Sequence, residues 1–200
     1  MLSELGSQLI LASADVNPAP LARSLRDVIT QAPAERLTES GWLVRRNLVS
    51  ALTKLVYYKE SFEDAMTAMG ILSFYENEEN ILNNASRTFE STFHLFLPGT
   101  EASTAQRFEW LSRAIATDSR IYSLLPLAMK GAFAFGMFSR VGSIGPDNGA
   151  SIDYQPTYED IRDYWSKCSA LAITEIEQGH DADKYVEIVA GNPFDSLSQQ

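Results

Sequence analysis

Residues 80–100 constrain the fold more than any other stretch. Leu82, Ala85, Phe89, Phe93 and Phe96 recur every three or four positions, the spacing of one helix face. Pro98-Gly99 then ends the predicted helix, because proline cannot continue it and glycine suits the turn that follows. Three phenylalanines on one stripe demand burial, so this helix needs packing neighbours on that side. Asn83, Arg87, Glu90 and His94 form a second, polar stripe on the same predicted helix.

The chain before and after that stretch reads as helices separated by turns. Residues 2–12 form a first helix, closed by Asn17-Pro18-Ala19-Pro20. Leu9-Ile10-Leu11 before Ala12-Ser13-Ala14 has the outline of a signal peptide. However, Glu4 stands where a basic residue belongs and the apolar core is too short, so an ordinary helix is expected. A second helix spans 20–31, with Leu21, Leu25, Val28 and Ile29 on one face, and the Pro33 region is a connector. Thr38-Glu39-Ser40 supplies an N-cap for a third helix running to residue 57. Leu48, Leu52, Leu55 and Val56 form its apolar face, with Arg45 and Arg46 directed away.

Ser61-Phe62-Glu63-Asp64 has the form of a capping box opening a fourth helix with Phe62, Ala65, Met69, Leu72 and Phe74. The helix of residues 80–97 is the fifth. Ser103-Thr104-Ala105-Gln106 is a full capping-box pattern for a sixth helix, with Phe108, Leu111 and Ile115 inward. Asp118 caps a seventh, strongly apolar helix ending near residue 138. That run approaches membrane-spanning length, but Pro126, Lys130, Gly131 and Gly136 interrupt it, so a buried core helix is expected.

Residues 140–156 break the rhythm and are long for a helix–helix connection. Packing of Ile152 and Tyr154 is expected to order this loop, leaving Asp147-Asn148-Gly149 as an exposed turn. Thr157-Tyr158-Glu159-Asp160 caps an eighth helix carrying Ile161, Tyr164, Trp165, Cys168, Leu171 and Ile176. Asp181 opens a short ninth with Tyr185, Ile188 and Val189. No stretch shows sustained strand alternation. The sequence therefore predicts one all-α domain over residues 1–190 and a polar tail over 191–200. Short connections favour antiparallel helix pairs stacked as a HEAT- or TPR-like α-solenoid, with a compact helical bundle as the alternative.

Composition narrows the partners. Of 200 residues, 45% are hydrophobic, enough to bury a core, and 16 Lys and Arg face 26 Asp and Glu for a net charge of -10. That balance repels phosphate and argues against nucleic acid and anionic membrane surfaces as partners. The single cysteine, Cys168, excludes an internal disulfide and fits a reducing, cytoplasmic setting.

Several pieces carry a resemblance: Asn83-Asn84-Ala85, Thr88-Phe89, Phe93-His94-Leu95-Phe96-Leu97-Pro98-Gly99-Thr100-Glu101-Ala102 and Gln155-Pro156-Thr157. Phe138-Ser139-Arg140 and Tyr164-Trp165 extend it. This wording resembles the helical-repeat regions that follow the ATPase core in large bacterial STAND-type NTPases, a class that includes NLR-like anti-phage sensors. The resemblance implies a segment or stand-alone relative of such a protein, sensing a partner while ATP binding and effector activity lie elsewhere. The chain has no Gly-x-x-x-x-Gly-Lys-Ser/Thr loop, so nucleotide binding is not carried over.

Catalytic patterns are sparse. Glu90 and His94 at i, i+4 could share a helix face as metal ligands, and Glu177-Gln178-Gly179-His180 supplies one Glu-x-x-His. A di-iron site needs two such motifs, so no metal or other cofactor is expected. Gly142-Ser143-Ile144-Gly145 lacks the order and preceding strand of a nucleophile elbow. Cys168 falls on an apolar face, as an inert thiol does. Glu159, Asp160 and Asp163 crowd a helix start, where the dipole favours them. Among the aromatics, Phe74 and Trp165 are expected in the core and Tyr154 at an interface. The leading expectation is a non-catalytic interaction or sensor module that binds a protein partner or adjacent domains of a longer chain. Its candidate contacts are Asn83, Arg87, Glu90, His94, Asp147, Asn148 and Tyr154. The alternatives are a small helical enzyme or metal protein using Glu90 and His94, and a structural spacer.

Overall fold

Local capping signals set many of the helix ends. The computed structural model describes residues 3–76, 84–134, 152–180 and 182–190. Among them are helices α1 (Glu4–Ser13), α2 (Pro18–Gln31), α3 (Ala34–Thr38), α4 (Trp42–Tyr57), α5 (Phe62–Phe74) and α6 (Ala85–Thr92). Then follow α7 (Thr104–Thr117), α8 (Ser119–Tyr122), α9 (Leu125–Ala132), α10 (Tyr158–Glu177) and α11 (Ala182–Ala190), and no strand occurs among the described residues. The fold is all-α. Asn84 accepts from the Arg87 amide at 2.8 Å, Ser103 from Gln106 at 3.2 Å and Asp118 from Arg120 at 2.9 Å. Thr157 and Asp160 close a reciprocal capping box at the start of α10.

The centre is α5, which is apolar over most of its surface and buried from Ala65 to Ser73 except at Thr67. It packs against α2, α4, α6 and α8. Gly70 permits close packing against α6 and α8: a Cβ there would lie 3.3 Å from the Phe89 ring and 3.4 Å from Ile121. Phe89 stacks edge-on with Phe93 at 5.2 Å between centroids, and Trp110 lies 6.1 Å from Phe89. Each fully buried ring of this cluster contributes about 1.5–3 kcal/mol. α1 runs alongside α4 in the same direction, because Asn47 bonds Ser7 near one end and Lys54 bonds Asp15 near the other.

A buried ion pair ties four helices together. Arg45, at the inner side of α4, donates to the Leu37 carbonyl of α3 at 2.8 Å and to the Leu72 carbonyl of α5 at 2.6 Å. Its Nε meets Glu76 at 3.0 Å, and the other Glu76 oxygen accepts from the Ala85 amide at 2.7 Å. Arg45 thus occupies carbonyls near the ends of α3 and α5, while Glu76 holds the positive N-terminus of α6.

Several expectations need correcting. The stripe helix ends at Thr92, so Phe93 is its C-cap and Phe96 lies 44% exposed on a following turn. Its expected start falls outside the described residues. α2 begins at Pro18, since Asn17 takes the N-cap and proline suits the first helical position, and Val28 faces solvent. The Pro33 connector winds into α3, so Thr38-Glu39-Ser40 ends one helix instead of capping the next. Arg45 points inward. Ser61 forms no capping box, because its hydroxyl donates to the Leu55 carbonyl at 2.6 Å. Phe74 is exposed at the end of α5. The expected seventh helix breaks at Ser123-Leu124, and Pro126 lies in the first turn of α9. Ile152 is 74% exposed and does not pack the loop. The expected turn at Asp147-Asn148-Gly149 and the tail from 191 lie outside the described residues.

Candidate interaction site

Residues 93–102 and 152–154 are far apart in sequence and adjacent in the fold. Pro98-Gly99 forces a reversal, with Leu97 at φ 51° and Gly99 at φ 73°. Thr100, fully buried, then anchors the turn to the end of α4 by donating to the Val56 carbonyl at 2.7 Å. The Glu101 amide adds a bond to the Tyr57 carbonyl at 2.8 Å. Residues 152–154 lie across this turn as a strap. The Asp153 carboxylate accepts from the Gly99 amide at 3.0 Å, and the Tyr154 amide donates to the Thr100 carbonyl at 2.9 Å. Tyr57 donates from its hydroxyl to the Ile152 carbonyl at 3.2 Å.

Arg107 supports the turn from beneath. It sits on the inner face of α7 with no solvent exposure. Its Nη1 donates to the Thr92 carbonyl at 2.9 Å and the His94 carbonyl at 2.6 Å, satisfying backbone oxygens left free where α6 ends. The guanidinium lies 5.5 Å from the Tyr164 ring centroid, a cation–π contact with α10. Tyr164 in turn donates to the Phe93 carbonyl at 3.1 Å. Nε and Nη2 of Arg107 have no hydrogen-bond partner among the described residues. Burial lowers its pKa, opposed by Tyr164, Cys168, Tyr154 and Asp153.

His94, Cys168 and Tyr164 are held uncharged. Burial, then the positive charges of Arg107 and Lys130, lower the His94 imidazole to about 4. Burial pushes the Cys168 thiol up to about 12, with Arg107 pulling the other way. Tyr164 is raised well above its ordinary value by burial. A neutral imidazole, a protonated thiol and a protonated phenol packed around a cation that holds backbone carbonyls position a turn. They do not activate a nucleophile. Among the described residues, no three His, Cys, Asp or Glu side chains converge to hold a metal ion.

The expected contact residues separate accordingly. Arg87 stands exposed on α6, and Glu90 pairs with Lys130 of α9 at 3.2 Å. His94 has left the helix, so Glu90 and His94 do not form the expected i, i+4 helical pair. His180 likewise lies beyond the end of α10, where its Nδ1 is 3.2 Å from Glu175 and 2.9 Å from the Tyr122 hydroxyl. Tyr154 joins the strap and donates its hydroxyl to Asp160 at 2.9 Å. Asn83, Asp147 and Asn148 lie outside the described residues. Sequence reasoning missed Arg107 and Asp153, whose roles depend on backbone groups distant in the chain. Pro98-Gly99 was the visible signal that a shaped turn lay here.

Three exposed apolar residues crown the unit. Phe96 and Leu97, 44% and 38% exposed, project on the turn, and Ile152 precedes Asp153 on the strap. No protein-family model matches the chain, and no curated protein or solved structure gives a match.

Proposed function

We propose that the chain is a non-catalytic helical interaction module, and that the turn of residues 93–102 with the strap of residues 152–154 is its contact element. The observation that carries this reading is Leu97. A leucine in the left-handed region costs roughly 1–3 kcal/mol and persists only where its surroundings over-determine it. Here Arg107, Thr100 and Asp153 fix the backbone on both sides, so an exposed Phe96-Leu97 pair is held in one geometry. Apolar side chains on a preorganised turn lose little entropy on binding.

The resemblance to STAND-type repeat regions supports the same reading, since its two main stretches are the turn and the entry to α10. We read the helices as a repeat block of the HEAT or TPR kind, belonging to or derived from a larger sensor ATPase in a bacterial defence setting, in the cytoplasm. Among the described residues no helix is long and apolar enough to cross a membrane.

Paired affinity capture tests the proposal, with the native chain and a Phe96→Ser/Ile152→Ser variant as baits in extract from the source cells. Proteins retained by the native chain and lost with a folded variant support it. An identical set retained by both baits contradicts it.

A further inference from the structure

We propose that the outward face of α10 is a docking surface for a basic amphipathic helix of a protein partner. This deepens the interaction reading but rests on a different element from the turn. Tyr158, Arg162, Ser166, Ala170, Ile173 and Glu177 follow one another at intervals of three or four residues, and every one is exposed. They make one continuous stripe along the solvent side of the helix, while Tyr164, Cys168 and Ala172 fill the buried side. Tyr158 is 81% exposed and Ile173 52% exposed, so the stripe carries an apolar anchor toward each end. They stand about 22 Å apart along the axis at 1.5 Å per residue. Ser166 and Ala170 between them are small, which lets a second helix approach closely.

Charge selects the occupant. From residue 152 onward the sequence carries ten Asp and Glu against three Lys and Arg, whereas the preceding residues carry 16 against 13. α10 and α11 themselves carry seven Asp and Glu against three Lys and Arg, so each of the two helices is net acidic. A surface concavity lies at the start of the stripe, lined by Glu159, Asp160, Arg162, Asp163 and Ser166. Lys167 is engaged with Asp163 at 2.8 Å, one turn away on α10. A helix with Lys or Arg flanking an apolar seam complements this face, with Tyr158 and Ile173 meeting the seam. A second copy of the chain would bring the same acidic surface against itself.

The probe is a synthetic Leu/Lys peptide of helical amphipathic pattern, matched in length to α10, titrated by fluorescence anisotropy against the full chain. A Leu/Glu peptide of the same pattern is the control. The Lys peptide should bind, more weakly as salt rises, and the Glu peptide should not. Tyr158→Ser/Ile173→Ser leaves every charge in place and should weaken Lys-peptide binding about tenfold or more. Leu5→Ser/Leu9→Ser, on the exposed side of α1, should not. Circular dichroism confirms that each variant is folded. Equal affinity in the native chain and the Tyr158/Ile173 variant would overturn the proposal, as would a dimer of the chain alone that the same substitutions abolish. Because Phe96 and Ile152 are untouched here, failure of this test leaves the turn reading standing. Failure of the paired capture likewise leaves this one.

Discussion

Nη1 of Arg107 lies 2.6 Å from the carbonyl oxygen of His94, joining α7 to the turn that follows α6. The same atom holds Thr92, so one buried cation takes up two free carbonyls at a helix end. Arg107→Met keeps most of the volume but leaves both oxygens without that donor. Bonds to a charged donor contribute about 1.5–3 kcal/mol each, so the variant should lose about 3–6 kcal/mol in chemical denaturation. A denaturation midpoint equal to that of the native chain would show that Arg107 is dispensable to the turn.

Gly131 marks where α9 crosses the end of α6. A Cβ at this position would fall onto the carbonyl oxygen of Glu90 and lie 3.2 Å from the Phe93 Cβ. The obstacle is backbone, so Gly131→Ala must displace one helix, at a cost of about 3 kcal/mol. Gly70→Ala should cost less, because it meets only the side chains of Phe89 and Ile121. Thermal melts of the two variants check the order, and a smaller loss at Gly131 would contradict the packing described.

The acid side of the stability profile should carry a contribution from His94. Its folded pKa of about 4 lies below the ordinary 6.5, because burial and the charges of Arg107 and Lys130 disfavour the imidazolium. Between these values the unfolded chain binds a proton that the folded chain refuses. The contribution to stability is therefore full above 6.5 and falls as pH drops toward 4. Part of the ring reaches solvent, which reduces the effect to about 1 kcal/mol near pH 5. Urea midpoints of the native chain and His94→Gln at about pH 7.5 and about pH 5 measure it. The native chain should lose more on acidification, and parallel losses would rule the contribution out.

What the sequence made legible was mainly local. Ser103, Asp118 and Thr157 announce helix starts because a cap bonds an amide two or three residues away, whereas the cap at Asn84 lay hidden inside a longer apolar spacing. The all-α class and the burial of Phe89, Leu52 and Cys168 followed from helical spacing. The end of α6 was not legible, because Phe93 and Phe96 continue the apolar spacing after the backbone has turned. Phe93 is buried from the turn and Phe96 is exposed, a difference set by Arg107 and Tyr164 on other helices. Arg45 read as directed away from the apolar face and Arg107 was not singled out, since only tertiary structure brings distant carbonyls to them. Of the expected contact residues, Tyr154 lies within the turn-and-strap unit through long-range backbone pairing, and Arg87 stands apart on α6.

The central claim is that the turn and the strap form one built element presenting Phe96, Leu97 and Ile152. Amide hydrogen exchange read by mass spectrometry on the native chain and Asp153→Ala tests it directly. Removing the Asp153 carboxylate leaves the Gly99 amide without its acceptor and loosens the strap on the turn. Exchange should rise together in peptides covering residues 93–102 and 152–157, with α1 to α4 unchanged. Faster exchange confined to residues 152–157, with the turn as protected as before, would contradict the account.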